Sequence, residues 1–169
     1  IFMWSKREKI GYTIMHRRAI KAIIEVYVLE EDKEEVMKRY LVHDMDKVLM
    51  NLLDIPGNEI KKIHRESKSH HYIEGKEYSR IDYIEMIIDW ESARYTKEDK
   101  PFNAKNTLIK YYNNIYGEIM PLLREMGLDN DSDEKDERVI KLINYNLSDE
   151  DIKNEIDQYV DRLWINSKE

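Results

Sequence analysis

Apolar side chains recur three and four residues apart along most of this chain, which is the spacing that places them on one face of an α-helix. The first such stripe contains Met15, Ala19, Ala22 and Val26. No segment alternates apolar and polar residues between tight turns, and only five glycines and three prolines interrupt the 169 residues. The sequence therefore predicts an all-α fold, a single helical bundle of about six to seven helices.

Capping residues, glycine and proline set the predicted helix boundaries. The predicted helices cover about residues 5–29, 32–55, 58–66, 79–95, 103–126, 135–145 and 148–166. Asp32 and Glu35 form a capping-box pattern at the start of the second helix. Pro121 is expected to kink the fifth helix or to end it early. The acidic residues 129–136 predict a solvated linker, because they lack the glycine that a calcium-binding EF-hand loop needs at its sixth position.

Composition narrows the class of protein. Cysteine is absent, which excludes disulfides, thiolate nucleophiles and cysteine-ligated metals. The net charge of -7 argues against a nucleic-acid partner, because a basic face supplies most of the affinity in such complexes. No apolar run reaches the roughly 18 residues of a membrane span, and the N-terminus lacks a signal-peptide pattern. We therefore expect a cytoplasmic protein without a membrane partner.

The histidines are concentrated in one part of the chain: all five lie between residues 16 and 71. His16 falls on an apolar stripe of the first predicted helix, and Asp44 falls on the stripe of Met37 and Leu41. A buried carboxylate costs several kcal/mol unless it is paired with a cation. No lysine or arginine lies obviously on the same stripe, so the predicted counter-charge is a metal ion.

The predicted ligand set consists of His16, His43, Asp44 and Asp89. Consecutive helical residues diverge by about 100 degrees, so His43 and Asp44 can flank one ion only where their helix faces other ligand-bearing helices. Two imidazoles and two carboxylates suit manganese, iron, cobalt, nickel or zinc better than calcium, and magnesium is a further candidate. The alternative to a metal site is a polar hydrogen-bond network in the core.

The order of these residues resembles the HD superfamily, in which a histidine, a His-Asp doublet and a distant aspartate lie on helices of one bundle. Three runs extend the resemblance: His43-Asp44-Met45-Asp46-Lys47, His64 followed by His70-His71, and Glu85-Met86-Ile87-Ile88-Asp89-Trp90. They look like a little-characterised HD-like family of bacteria and their phages, over about residues 15–93. Asp46 stands where that family usually has serine, and Ser69 where it more often has asparagine or proline.

The resemblance implies a metal-dependent phosphohydrolase that acts on a small phosphorylated molecule, such as a nucleotide or another phosphomonoester. An ion at the predicted ligand set would polarise the phosphate ester and activate a water. The resemblance also implies that His64, His70 and His71 complete a second metal site or donate protons to the leaving oxygen.

Lysine and arginine side chains near these runs are candidates for contact with the phosphate. Lys47 lies one turn after His43, and Arg65 and Arg94 are weaker candidates for the same role. The residues expected to act in catalysis are Asp44, Lys47, His64 and His70.

Two other functions fit the same residues. A related histidine-rich scaffold can hold two irons and activate oxygen, as an HD-like di-iron oxygenase does. A non-catalytic helical binding protein can keep its metal for stability or ligand sensing. We expect one domain over residues 1–169, with the metal-site core over about 5–95 and a helical extension over about 103–169. The amphipathic final helix is expected to pack on this domain or against a second subunit, which would make a homo-oligomer.

Overall fold

The computed structural model describes residues 4–98 and 102–168, and every regular element within those ranges is helical. The elements are α1 (Lys6–Tyr27), α2 (Glu30–Tyr40), α3 (Met45–Leu52), α4 (Gly57–Ser67), α5 (Arg80–Thr96), α6 (Ala104–Tyr111), a one-turn 3₁₀ helix (Asn113–Ile115), α7 (Tyr116–Met126), α8 (Glu137–Leu142) and α9 (Asp149–Ser167). The predicted all-α fold is confirmed, and the helices form a single domain.

α1 is the central helix and packs against α2, α3, α5, α8 and α9. Its residues Ile20 and Ile23 are fully buried, as is Ile87 of α5. A smaller apolar cluster joins α1, α3 and α9, and its buried members are Ile10, Ile14, Met45, Val48 and Ile152. Because several helices meet on α1, a polar side chain on its buried stripe is brought close to residues from distant parts of the chain.

Serine side chains begin three of the helices. Ser5, Ser79 and Ser148 each accept a hydrogen bond from the backbone N–H three residues later, and the carboxylate of that residue accepts one in return. This reciprocal arrangement satisfies backbone N–H groups that a helix start otherwise leaves unpaired. The predicted starts at Ser79 and Ser148 are thereby confirmed.

The predicted capping box at Asp32 is wrong. α2 begins at Glu30 and has Leu29 as its N-cap, with no side-chain capping hydrogen bond. Asp32 is instead buried, and its two carboxylate oxygens accept hydrogen bonds of 3.2 and 3.0 Å from Arg80. Two parallel bonds from one guanidinium to both carboxylate oxygens are stronger than a single capping bond to a backbone N–H, so the partner on α5 determines the position of Asp32.

Two of the predicted helices are each divided in two, which raises the number of α-helices in the described ranges to nine. The second predicted helix ends at Tyr40, and α3 begins only after Asp44, whose φ of 57° is left-handed. The fifth is interrupted at Tyr112, before the 3₁₀ turn. It does not end early at Pro121, because α7 continues through that residue to Met126.

Candidate metal centre

The fold brings together all seven residues that were predicted to bind metal. His16 comes from α1, His64 from α4 and Asp89 from α5. His43 and Asp44 lie in the turn between α2 and α3, which we call the ligand turn (residues 41–44). His70 and His71 lie in the loop after α4. Their ligand atoms form two groups in which all atoms are within 4.8 Å of one another: His16, His43, Asp44 and Asp89, and His64, His70 and His71.

The first group surrounds the Nε2 atom of His16. This atom lies 2.9 Å from Asp89 Oδ1, 3.3 Å from Asp44 Oδ2 and 3.3 Å from His43 Nε2. His43 Nε2 lies 3.3 Å from the same Asp89 oxygen. Two imidazole nitrogens and two carboxylates therefore converge on one point, as the sequence predicted.

Asp44 joins the first group to the second. Its Oδ1 atom lies 3.0 Å from His64 Nε2 and 3.2 Å from His70 Nε2, but none of these three atoms makes a hydrogen bond. His71 Nε2 is also buried without a hydrogen-bond partner. Leaving a buried polar atom unpaired costs about 1–3 kcal/mol, and a bound ligand would satisfy four such atoms in one place. A cation fits this donor set, because imidazole and carboxylate are ordinary ligands of divalent transition metals.

The other ring nitrogen of four of the histidines has a partner of its own. Ser92 Oγ lies 3.0 Å from His16 Nδ1, and Asp46 Oδ2 lies 2.8 Å from His64 Nδ1. Glu85 Oε2 lies 2.9 Å from His43 Nδ1 and 3.0 Å from His70 Nδ1. An oxygen at Nδ1 fixes the tautomer that leaves the Nε2 lone pair free, which is the usual arrangement around metal-binding histidines.

Sequence reasoning missed the roles of these partner residues. The sequence assigns Glu85 no role beyond its place in the run that ends at Trp90, whereas in the structure Glu85 is buried and 5% exposed. Its position one turn before Asp89 on α5 was the available signal, because residues four apart lie on the same helix face. In the sequence, Asp46 is distinctive only because the HD-like family usually has serine at this position. Its contact with His64 could not be read from the sequence.

In the metal-free cluster, neighbouring charges and burial shift the pKa values of several groups in opposite directions. Burial alone would raise the pKa of Asp44 and Asp89, but the neighbouring histidines hold both values well below the usual range. Burial disfavours a charged His43, yet Asp44, Asp89 and Glu85 outweigh it and raise the pKa of His43 to about 9. Burial lowers the pKa of His71 to about 3, with His70 as the next cause. In the metal-free cluster His43 therefore carries a proton at neutral pH, whereas His71 is neutral.

These shifts predict how the stability of the metal-free protein depends on pH. The raised pKa of His43 contributes stability that is fully present below its ordinary value of 6.5 and is lost as the pH rises through about 9. The loss is on the order of 3 kcal/mol. The lowered pKa values of the carboxylates make stability depend on pH only in acid, so they do not contribute to the change between pH 6.5 and about 9.

Thermal melts at pH 6.5 and pH 9 check this prediction, with chelator and with added metal. Metal-free protein should melt at a clearly lower temperature at the higher pH. Metal-loaded protein should not, because metal binds the deprotonated histidines. Equal melting temperatures of the metal-free protein at both pH values would contradict the assignment.

Glu85 offers a second prediction. Glu85→Gln removes the charge that orients His43 and His70 and keeps the size of the side chain. Metal affinity should fall about 10- to 100-fold, the usual effect of losing a partner of a metal-binding histidine. Competition with a chromophoric chelator measures the affinity, and Glu66→Gln on the exposed face of α4 is the matched control. Unchanged affinity in Glu85→Gln would argue against the proposed orienting role.

The cationic candidates divide into three cases. Lys47 Nζ lies 3.4 Å from Asp44 Oδ2, at the edge of the cluster. Arg65 is exposed on α4 and lies outside both groups of ligand atoms. Arg94 is buried and donates to the backbone oxygens of Ser132 and Glu134, which corrects its proposed contact with phosphate. Arg94 instead connects the exposed acidic linker, residues 129–136, to α5 through these two hydrogen bonds.

Taken together, fold and site define an all-helical domain with a buried histidine and carboxylate cluster. No family model, curated protein or solved structure matches the chain. None of the helices in the described ranges combines the length and the apolar character needed to cross a membrane.

Proposed function

We propose that this protein is a metal-dependent phosphohydrolase that acts on a small phosphorylated molecule, such as a nucleotide or another phosphomonoester. The observation that carries the proposal is the convergence of unpaired, buried Nε2 atoms on a single carboxylate oxygen of Asp44. The order of His16, His43-Asp44 and Asp89 along the chain, which resembles the HD superfamily, supports it.

The cluster contains enough imidazole and carboxylate ligands for two divalent ions. His16, His43, Asp44 and Asp89 would hold the first. His64, His70 and His71 would hold the second, with Asp44 as the residue common to both, because its two oxygens face different groups. Imidazole and carboxylate ligands favour manganese, iron, cobalt, nickel or zinc.

Exposure separates the side of the cluster that a substrate can reach from the side that it cannot. The side chains of His43 and His64 are 0% and 1% exposed, whereas those of His16 and Asp89 are 13% and 17% exposed. Lys47, at 30%, lies on the accessible side. A catalytic metal site keeps an open position for water or substrate, and the proposal assigns that position to the side of His16 and Asp89.

Each part of the site has a chemical role in the proposal. Bound divalent ions supply Lewis acidity toward a phosphate oxygen and lower the pKa of water. Lys47 places a positive charge beside Asp44, where it contacts a non-bridging phosphate oxygen. Glu85, Asp46 and Ser92 hold the histidine rings in the orientation that leaves Nε2 unprotonated.

Phosphate release tests the proposal. Protein reconstituted with manganese is incubated with a panel of nucleotides and other phosphomonoesters, and the same panel is run with chelator. We expect metal-dependent turnover of at least one class of substrate, and none with chelator. Metal-loaded protein without turnover on the whole panel would instead support the non-catalytic binding protein. An absorption band that develops in iron-loaded protein in air would support the di-iron oxygenase.

A further inference from the structure

The ligand turn is held by arginine side chains that come from other helices. Arg17 of α1 donates from Nη1 to the backbone oxygens of Tyr40 and His43, both at 2.7 Å. Arg162 of α9 donates to the backbone oxygen of Leu41 at 2.8 Å. Three of the four carbonyl groups in residues 40–43 therefore accept from guanidinium groups. These carbonyls lie at the C-terminal end of α2, where the helix dipole favours positive charge.

α9 reaches the ligand turn by a second contact as well. Glu155 Oε2 lies 3.4 Å from Arg17 Nη2, so α9 also contacts the arginine that holds the other two carbonyls. Ile152 is the buried residue of α9, and the helix lies against α1 and α3. One face of α9 thus touches both the ligand turn and the helix that begins directly after it.

The position of the ligand turn matters because it contains two of the proposed metal ligands. Asp44 adopts a left-handed conformation there, with a φ of 57°, which is uncommon for a residue other than glycine. Such a conformation persists where surrounding contacts determine it. Arg17 and Arg162 contact the carbonyls of His43 and Leu41, which precede it in the turn.

We propose that Arg162 is a positioning residue for the metal centre, acting from the C-terminal helix through the backbone of Leu41. The inference rests on the proposed function, because it concerns the placement of two proposed metal ligands. Arg162 touches neither the metal-binding atoms nor the substrate side of the cluster. It restrains the turn so that His43 and Asp44 meet the ligands from α1 and α5.

Two measurements on the full chain test this proposal. The first is the affinity for zinc, measured by competition with a chromophoric chelator. The second is amide hydrogen exchange of residues 43–47 in metal-free protein, where the N–H groups of His43, Met45 and Lys47 donate to Tyr40, Val42 and Asp44. The variants are Arg162→Gln and the conservative Arg162→Lys. Lys153→Gln, on an exposed part of the same helix, is the control.

We expect Arg162→Gln to bind zinc about tenfold more weakly and to lose protection in residues 43–47, while protection in α5 is unchanged. Arg162→Lys should restore part of both, and Lys153→Gln should behave like the wild type. Wild-type affinity and protection in Arg162→Gln would overturn the proposal, as would an equal loss of protection throughout α5. If the wild type binds no zinc, the proposed function fails, and the exchange of residues 43–47 still supports or overturns the positioning role.

Discussion

Asp44→Asn should remove metal from both groups of ligands and abolish metal-dependent hydrolysis. The two carboxylate oxygens of Asp44 face Nε2 atoms of both groups, and asparagine keeps the shape of the side chain without its charge. Asparagine also tolerates the left-handed conformation at this position, so the turn can form. We expect a loss of metal affinity greater than about 100-fold, the upper end for a residue that only orients a ligand.

Metal content and phosphate release measure this effect together. Asp54→Asn is a close control, because Asp54 is also left-handed, with a φ of 59°, but is exposed and pairs with Lys6 at 2.7 Å. That variant should keep its metal and its activity. If Asp44→Asn retained both at wild-type levels, Asp44 would not be the residue common to two metal sites.

Arg17→Met should destabilise the protein more than any other substitution discussed here. Arg17 is 3% exposed, and its guanidinium pairs with the carbonyls of Tyr40 and His43 and stacks on the ring of Tyr40 at 4.6 Å. Methionine fills much of the volume but removes the charged donor from both carbonyls, and the Tyr40 carbonyl then keeps only the His43 N–H. A hydrogen bond to a charged group contributes about 1.5–3 kcal/mol, so the loss of two costs about 3–6 kcal/mol. The melting temperature should therefore fall by roughly 10 °C.

Thermal unfolding of metal-free protein measures this loss without interference from bound ions. Lys21→Met, one turn further along α1 and exposed, should melt within about 2 °C of the wild type. A melting temperature of Arg17→Met close to that of the control would show that the two carbonyls do not depend on Arg17.

The fold class and most helix boundaries were predictable, because they depend on local patterns. The serines at positions 79 and 148 each precede a carboxylate three residues later, and both begin helices as expected. The stripe spacing on α1 placed His16 toward the interior, and in the structure its Nε2 atom lies 2.9 Å from Asp89 Oδ1. Periodicity of this kind is a property of a single segment, so a single sequence contains it.

The remaining features depend on contacts between distant segments. Asp32 matches a capping pattern, but Arg80, which lies 48 residues later, determines its environment. The break between Tyr40 and Met45 has no glycine or proline to mark it, and it is held by Arg17 and by an arginine in α9. Such pairings become visible only when the helices are assembled, because nothing in the local sequence specifies the partner.

The central claim is that the histidine and carboxylate cluster holds transition metal. Elemental analysis of protein purified without a histidine tag, before and after reconstitution, tests it most directly. The account predicts close to two ions per chain in the wild type and a large loss in Asp44→Asn. Wild-type protein that takes up no metal, even after reconstitution with excess manganese, iron or zinc, would contradict the account and leave the cluster as a hydrogen-bonded core.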